Sequence, residues 1–505
     1  MIPQAYVDSD RRAPALLPCR PTADRRDKYP SRPPPTNSPC GKPGWLPAPR
    51  CSFPSTELSA RNRTEAARCP RLLLPAHLER RGQGDVGPAL CVQREAGEEW
   101  HTHRRLGTRS LKTVFATVQV VRMGHSRTGA PSIYPLAQTL VLPARSFSWE
   151  LQRRPIEAAV QNPFHASVAT IADLTGVAVS KRSLEEMLRD AARDFDAFYR
   201  QRSPETAAGA ILLAVVDGKG MPMVKPSGVP QPSARRAKGR KANRKRMATV
   251  ATVFTRAPRV RTPEQVVESL FPTRRPSAAD SPAPPRAENK RVWASPLKGK
   301  TTVIQEVAPE IQRRDPGVAK TRVARSDGER ALQILLERRL GVASILDLPH
   351  VLEKPWKAAY VFHAEGSLEA ELRGRDRTLR VLSGQSGQVV QGLRPSVTER
   401  GLHGANRNTP QRAADYIYRN RARMHDDEYL ANGWPIARGS VEGACKNPIM
   451  DRMERSGMRW SEEMAEAIVQ LRAISLSGDL DAYWSFHMQE EQHRLYPHRW
   501  TVVLK

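Results

Sequence analysis

Three acidic residues lie beside turn or helix-start signals at widely separated points of the chain. Asp217 and Asp327 are each followed by glycine, and Glu442 follows Gly439-Ser440, a pair suited to begin a helix. Carboxylate oxygens are the ligands that Mg²⁺ prefers, and two such ions about 3.5–4 Å apart can stabilise the attacking and leaving oxygens during phosphodiester cleavage. A converging set of these acids would suit that chemistry. Because the chain holds 52 acids, their number alone does not establish such a set.

The first two acids follow predicted strands. Residues 210–216 (AILLAVV) form a continuous apolar run with the length of a buried strand, which places Asp217 at its C-terminal end. The alternative is that Asp217-Gly218 forms a hairpin turn. Residues 321–326 (TRVARS) predict a weaker strand, interrupted by two arginines, before Asp327.

The chain after Asp327 predicts a further strand and a series of helices. The predicted elements are a helix over 329–339, an apolar strand over 343–346, a helix through Phe362, and mostly helical residues 365–430 with breaks near 383–391 and 401–410. Asp347 and His350 lie at the junction between that strand and the helix that follows. Glu442 therefore comes after a long helical insertion.

The segment around Glu442 combines one acid with a basic face. Arg452, Arg455 and Arg459 follow it, which suits contact with a polyanion, although an ordinary surface helix has the same pattern. Pro448 lies inside the helix expected to carry Glu442, where proline costs about 3 kcal/mol. We expect the helix to kink or end there.

Two N-terminal stretches have recognisable periodicity. Residues 111–123 (LKTVFATVQVVRM) predict a strand or hairpin. Residues 147–202 predict helices, with a glycine turn at 175–176 and a second helix from about Ser180. That helix begins with Lys181 and Arg182, as in a helix-turn-helix that reads a major groove. A plain helical hairpin packed on the next domain is the alternative.

A basic stretch follows the first predicted strand. Its candidate DNA-binding cations are Arg235, Arg236, Lys238, Arg240, Lys241, Arg244, Lys245 and Arg246. A strand is predicted over 247–255, a short helix over 262–270 and a linker over 272–286. Because the basic stretch joins strands of one domain, we interpret it as a DNA-facing loop; a merely solvated loop is the alternative.

Composition favours a nucleic-acid partner. The formal net charge is +29, which favours phosphate polymers. No run of about 18 apolar residues and no signal-peptide core occurs, so we expect a soluble, intracellular protein. Five of the six cysteines lie in residues 1–91 without a C-x2-C pair. We expect unpaired thiols there, with a disulfide framework as the alternative.

Residues 1–90 are rich in Pro, Arg, Ser and Ala and lack helical or strand periodicity. Such a segment buries too little apolar surface to offset its conformational entropy. We predict a disordered leader, or a start codon assigned too far upstream.

Several blocks together resemble a known family. They are VVDGKG around Asp217, SDGERALQ around Asp327, ILDLPHVLEKPWKAAYVF from Ile345, and VEGACK with DRMERSGMRW from Val441. In this order, from about residue 91 to 497, they resemble the DDE transposases of bacterial insertion sequences, most closely the Kra-type group. The leader is outside the resemblance.

The resemblance implies a fold and a site. The expected fold is α/β (α+β): an RNase H-like core with a helical insertion, preceded by a mostly helical N-terminal region. Asp217, Asp327 and Glu442 would be the catalytic triad and bind two Mg²⁺ or Mn²⁺ ions. Asp347 and His350 would support the site or position DNA. Asp347 as the second catalytic acid, and His350 as a structural histidine, are the alternatives.

The resemblance also implies partners and a domain layout. The partners would be DNA, as element ends and target, and further copies of the chain on that DNA, in a bacterial cytoplasm near the nucleoid. The expected layout is a leader (1–90), a helical DNA-binding region (91–205), a catalytic domain (206–480) with a basic loop (226–300) and a helical insertion (365–430), and a tail (481–505).

Three rival functions remain. One is a decayed, inactive copy that only binds DNA, and another is an RNase H-like nuclease without strand transfer. A basic structural protein fits the charge but not the aspartates after apolar strands.

The sequence predicts the effect of one substitution. If Glu442 completes a metal site, Glu442→Gln abolishes Mg²⁺-dependent cleavage of DNA and leaves DNA binding intact, because the amide keeps the shape but loses the charge. Nicking and gel-shift assays on the same DNA measure the two properties. Cleavage retained by the variant would remove Glu442 from the triad.

Overall fold

The computed structural model describes residues 90–94, 97–205, 207–224, 245–271, 284–437, 451–454 and 457–496. Several of the sequence predictions concern residues outside these ranges, and the structure does not test them. Outside the described residues lie the leader up to residue 89, Glu442, Pro448, Arg455 and the basic-loop residues Arg235, Arg236, Lys238, Arg240, Lys241 and Arg244.

The described chain begins with two antiparallel hairpins. Strands β1 (Leu90–Arg94) and β2 (Gly97–His101) form the first, and β3 (His103–Lys112) and β4 (Thr117–Ser126) form the second. The turn of the second hairpin closes where the Thr113 amide donates to the Ala116 carbonyl at 2.9 Å. This confirms the hairpin interpretation of residues 111–123.

Five helices follow, and four of them cover the predicted helical stretch 147–202. They are α1 (Pro135–Thr139), α2 (Trp149–Gln161), α3 (Phe164–Thr175), α4 (Lys181–Ala192) and α5 (Phe195–Gln201). Gly176 ends α3 with φ of +69°, and the Ser180 hydroxyl caps α4 by accepting from the Ser183 amide. Two helices joined by a glycine turn are therefore present, and α4 packs in one core with α14 (Glu462–Ser477), as the alternative of a packed helical hairpin expects. Contact with DNA stays a prediction.

The central sheet has five strands. They are β5 (Ile211–Met221), β6 (Arg246–Arg256), β7 (Glu288–Ser295), β8 (Thr321–Ser326) and β9 (Ala343–Leu346), in the spatial order β7-β6-β5-β8-β9. The first three strands pair antiparallel, whereas β8 and β9 run parallel to β5. The mixed α/β class is confirmed, and the order and directions are those of an RNase H-like core.

Strand β5 is longer than predicted. Asp217 and Gly218 lie inside it, opposite Val250 and Thr249 of β6. The hairpin-turn alternative for Asp217-Gly218 is therefore wrong, and so is the placement of Asp217 at the very end of the strand.

Ten further α-helices have both of their ends within the described residues. They are α6 (Pro263–Leu270), α7 (Lys300–Arg314), α8 (Arg330–Leu340), α9 (Leu348–Phe362), α10 (Leu368–Leu382), α11 (Ser386–Glu399), α12 (Gly404–Asn420), α13 (Asp426–Ala431), α14 (Glu462–Ser477) and α15 (Leu480–Leu495). Strand β7 and helix α7 were not predicted. The range 226–300, expected as a basic loop, contains β6, α6 and β7.

The sheet is covered on both faces. Alternate residues of β5 point to opposite sides, so Leu212, Ala214 and Val216 pack with α7 and α8. The intervening Leu213 and Val215 pack with α9 on the other side. The apolar run that predicted a buried strand is thus buried on both faces, as expected for a strand flanked by helices.

A third core joins the two ends of the described chain. Helices α2–α5 and α14–α15 share it with β6 and β7. Two buried contacts cross it: the Tyr199 hydroxyl donates to Asp479 Oδ2 at 2.9 Å, and Arg472 donates to the Val160 carbonyl at 2.8 Å. The N-terminal helices and α15 therefore share a core with the sheet.

The helical insertion has a core of its own beside α9. Helices α10, α11 and α12 contribute to it residues such as Val381, Leu393 and Ile417. No helix in the described ranges combines the length and apolarity needed to span a membrane.

A buried ion-pair cluster fixes α15 against α4 and α5. Asp194 is 3% exposed; Arg494 donates to both of its carboxylate oxygens at 2.8 and 2.7 Å, and His487 Nδ1 lies 2.7 Å away. Burial opposes ionisation, but the His487 and Arg494 contacts outweigh it and lower the pKa of Asp194 to about 2. The carboxylate thus stabilises the fold above the pKa that it has when unfolded.

Asp194→Asn should lower the free energy of unfolding at pH 7 by about 2 kcal/mol, since the folded carboxylate is favoured by almost two pKa units. The difference from the wild type should shrink as pH falls from 4 towards 2. Urea denaturation followed by tryptophan fluorescence measures the free energy of unfolding at each pH. The exposed Asp481→Asn on α15 is the control and should behave as the wild type; equal stabilities of both variants would contradict the assignment.

Candidate active site

Three aspartates lie at the same end of the parallel part of the sheet, which is formed by β5, β8 and β9. Val215 of β5 pairs with Arg325 of β8, and Arg325 pairs with Ile345 of β9. Two residues after these lie Asp217, which is still in β5, and Asp327 and Asp347, which follow β8 and β9. The parallel pairing ends at Val215–Arg325 and at Ser326–Leu346, so the three aspartates lie just beyond it, at one end of the sheet. We call these three residues the aspartate row.

Asp217 is the buried member beside β6. It is 6% exposed, and the Lys219 ammonium lies 3.1 Å from its Oδ2. The Gly218 amide donates to its Oδ1 at 2.7 Å. A buried carboxylate is retained where cations and amides compensate its charge, and a divalent ion would provide the same compensation.

Asp327 is the partly exposed member, and the insertion holds its backbone. The Tyr416 hydroxyl of α12 donates to the Asp327 carbonyl at 3.2 Å. Gly328 has φ of +94°, and a Cβ there would collide with the Tyr416 hydroxyl, so the turn requires glycine. Burial, followed by the carboxylates of Asp327, Glu353 and Asp347, raises the pKa of Tyr416 to about 12. The phenol therefore stays protonated and able to donate.

Asp347 is 1% exposed, and its carboxylate faces a fully buried guanidinium. Arg325 Nε lies 3.5 Å from Asp347 Oδ1. His350 Nε2 lies 3.8 Å from the other oxygen. Asp347 precedes α9 without capping it through its side chain. The carboxylate thus has a cation beside it, as Asp217 does, so both a supporting role and that of the second catalytic acid stay predictions for Asp347.

Arg325 also binds the backbone of residues that precede Glu442 in the chain. Its Nη1 donates to the Ala437 carbonyl at 2.8 Å and to the Pro435 carbonyl at 3.4 Å. Between them, the Ile436 carbonyl accepts from the Leu348 amide at 2.9 Å. The last described residues before Glu442 are therefore docked beside the aspartate row.

The row offers donors that suit Mg²⁺ or Mn²⁺. Asp217 on β5 and Asp327 directly after β8 supply carboxylate oxygens, the first buried and the second partly exposed, and hard oxygen donors fit these ions. The residues therefore fit the expected metals. The position of Glu442 relative to them stays a prediction.

A different cluster has the tightest arrangement of metal-type ligands. Among the described residues, only Asp194, His487 and Glu491 bring three such atoms within 4.8 Å of one another. Arg494 already binds both oxygens of Asp194 and also contacts Glu491. We assign this cluster to the fold, because a cation occupies the place that a metal would take.

The candidate DNA-binding cations differ in exposure. Lys181, Arg182 and Lys245 have side chains exposed by 65%, 89% and 54%. Arg246 is partly exposed, with a side chain that is 37% exposed, and Arg459 is exposed.

Arg452, by contrast, lies inside the protein. It is 1% exposed and donates to the Ala159 carbonyl at 2.8 Å. Its guanidinium also lies over the rings of Phe164 and Trp460. We therefore assign Arg452 to packing and not to DNA contact.

A cleft of about 400 Å³ brings two of the candidate cations together. Lys181 of α4 and Arg459 both line it, with Phe164 and Trp460 among its apolar walls. The start of α4 and Arg459 therefore border one concave surface.

Comparisons with known proteins find little similarity. No family model and no curated protein matches the chain. Among the solved structures that match is a Drosophila P element transposase strand transfer complex, with 11% identity and a TM-score of 0.25, over 70% of this chain and 84% of that one. At these values the match carries no argument about function.

Sequence reasoning missed two residues of the site. Arg325 was noted only as an interruption of an apolar strand, although a charged residue inside a buried strand signals an internal partner. Tyr416 had no signal, because its contact with Asp327 spans 89 residues of sequence.

Asp347→Asn should lower the free energy of unfolding by about 3 kcal/mol, because it leaves the buried Arg325 charge without its carboxylate partner. Asp327→Asn should leave stability near that of the wild type. Chemical denaturation at pH 7 measures the difference in stability between the two variants. Asp376→Asn, which removes an exposed partner of Arg380, is the control. Equal stabilities of the Asp347 and Asp327 variants would contradict the supporting role of Asp347.

Proposed function

We propose that this protein is a DDE-type transposase, which cleaves DNA and joins the cut end to a second DNA site. The observation that carries the proposal is the aspartate row, in which Asp217 on β5 and Asp327 directly after the neighbouring strand β8 supply two carboxylates that suit a divalent metal, at one end of an RNase H-like sheet. The sequence blocks that resemble Kra-type transposases of bacterial insertion sequences support the narrower family assignment. The basic composition supports DNA as the partner.

The proposed roles follow from burial and partners. Asp217 and Asp327 would hold the metal ions, with Glu442 completing the site. Asp347 would act through Arg325, by fixing the backbone at Pro435 and Ala437. When bound, two Mg²⁺ or Mn²⁺ ions supply the positive charge that stabilises the attacking and leaving oxygens.

The proposed reaction has two phosphoryl transfers. In the first, water attacks the phosphorus at the element end, the P–O3′ bond breaks, and a 3′-hydroxyl is released. In the second, that 3′-hydroxyl attacks a phosphodiester of target DNA, which forms one new P–O bond and releases a target 3′-hydroxyl. The number of phosphodiester bonds is unchanged in the second step, so no external energy source is required.

DNA binding is proposed for the exposed cations. Lys181, Arg182 and Arg459 border the cleft or the helix–turn–helix, and Lys245 and Arg246 lie at the start of β6. Assembly of several copies on DNA, and a bacterial cytoplasmic location near the nucleoid, remain part of the same proposal.

Asp217→Asn and Asp327→Asn should each reduce Mg²⁺-dependent DNA cleavage to background while DNA affinity stays within about two-fold of the wild type, because neither side chain is a cation that contacts phosphate. A supercoiled-plasmid nicking assay and fluorescence anisotropy measure the two properties. The exposed Asp376→Asn is the control and should cut as the wild type does. Cleavage retained by both row variants would refute the site.

A labelled DNA with a free 3′-hydroxyl separates the rival functions. Joined products support a transposase, whereas cleavage without joining supports a nuclease. A wild-type protein that binds DNA but cuts in neither Mg²⁺ nor Mn²⁺ would support an inactive copy.

A further inference from the structure

Helix α12 carries a basic face that none of the roles above explains. Helix α12 and the three residues after it contain a single acid, Asp415, and five arginines: Arg407, Arg412 and Arg419 on the helix, and Arg421 and Arg423 after it. Arg423 is bound by Glu337 at 2.7 Å. Arg394 of α11 forms an ion pair with Asp415 at 3.1 Å. The face therefore has an excess of positive charge.

Two of these arginines flank the residue that contacts the aspartate row. Residues three or four apart on a helix are neighbours on one face. Arg412 lies four residues before Tyr416 and Arg419 three residues after it, and the Tyr416 hydroxyl reaches the Asp327 carbonyl. Both arginines are exposed, whereas Tyr416 is only partly exposed. The basic face thus begins where α12 meets Asp327.

Arg412 and Arg419 have no carboxylate of the described ranges within ion-pair distance. The Arg419 Nε donates to the Asp415 main-chain carbonyl at 3.1 Å, which orients the guanidinium without neutralising it. Lys354 of α9, whose ammonium lies 5.1 Å from the centre of the Tyr416 ring, adds a further cation. Seven residues separate the two arginines, or about 10 Å along the helix axis, so they can contact different phosphates.

We propose that Arg412 and Arg419 of α12 bind backbone phosphates of the DNA duplex beside the aspartate row. This inference rests on the proposed function, and it makes the helical insertion a DNA-binding element. The contacts are with phosphates, because the residues are cations and the face presents no ordered set of groups for base edges. The insertion would hold DNA on the side of the row opposite to β6.

The test is DNA binding in EDTA, where no metal-dependent cleavage occurs. Affinity for a 30-base-pair duplex of arbitrary sequence is measured against NaCl concentration. Loss of two phosphate contacts in Arg412→Ala/Arg419→Ala should make the slope of log K against log salt shallower by about 2, and lower affinity on the order of ten-fold near 0.1 M salt. Arg412→Lys/Arg419→Lys keeps the charges and should retain most of the slope.

Arg338→Ala is the matched control, since Arg338 is also an exposed helical arginine but lies on α8, which packs on the opposite face of the sheet. It should keep the wild-type slope. A wild-type slope in the double alanine variant would overturn the inference, and so would an equal change in Arg338→Ala. If the wild-type protein binds DNA with the expected salt dependence but does not cleave it in Mg²⁺, the proposed function is refuted and the phosphate contacts of α12 are not. Absence of salt-sensitive binding by the wild type would refute both.

Discussion

The arrangement of the candidate site depends on one guanidinium buried within the central sheet. Arg325 is 0% exposed, and a charge removed from water must be matched by partners inside the protein. It has the Asp347 carboxylate on one side and the carbonyls of Pro435 and Ala437 on the other. One side chain therefore ties together the end of β9, the start of α9 and the backbone that leads to the Glu442 segment.

The candidate site also depends on the parallel pairing of β5, β8 and β9. Because Val215, Arg325 and Ile345 lie side by side, the aspartates that follow them in the chain lie at the same end of the sheet. The three aspartates differ in environment. Asp347 is engaged by Arg325, Asp217 is buried beside Lys219, and Asp327 remains partly exposed under Tyr416. Metal binding by Asp217 and Asp327 is the role that we propose for the two.

Sequence reasoning anticipated the elements whose apolar patterns are unbroken. Strands β5, β6 and β9 and helices α4 and α9 were located from their hydrophobic residues, and two of the three aspartates were placed correctly after strands. Strand β7 and helix α7 were missed for a shared physical reason. Arg291 of β7 is buried and forms an ion pair with Glu310 of α7 at 2.5 Å, so charged residues hide the apolar pattern of both elements. The buried Arg452 looked like a surface cation for the same reason, because only the fold shows which side a guanidinium faces.

The central claim, that the aspartate row holds divalent metal, is most directly tested by locating bound Mn²⁺ through its anomalous scattering in crystals of the protein with DNA. We predict a peak in contact with carboxylate oxygens of both Asp217 and Asp327. A peak only at Asp194, His487 and Glu491, or no peak at the row at saturating Mn²⁺, would contradict the account.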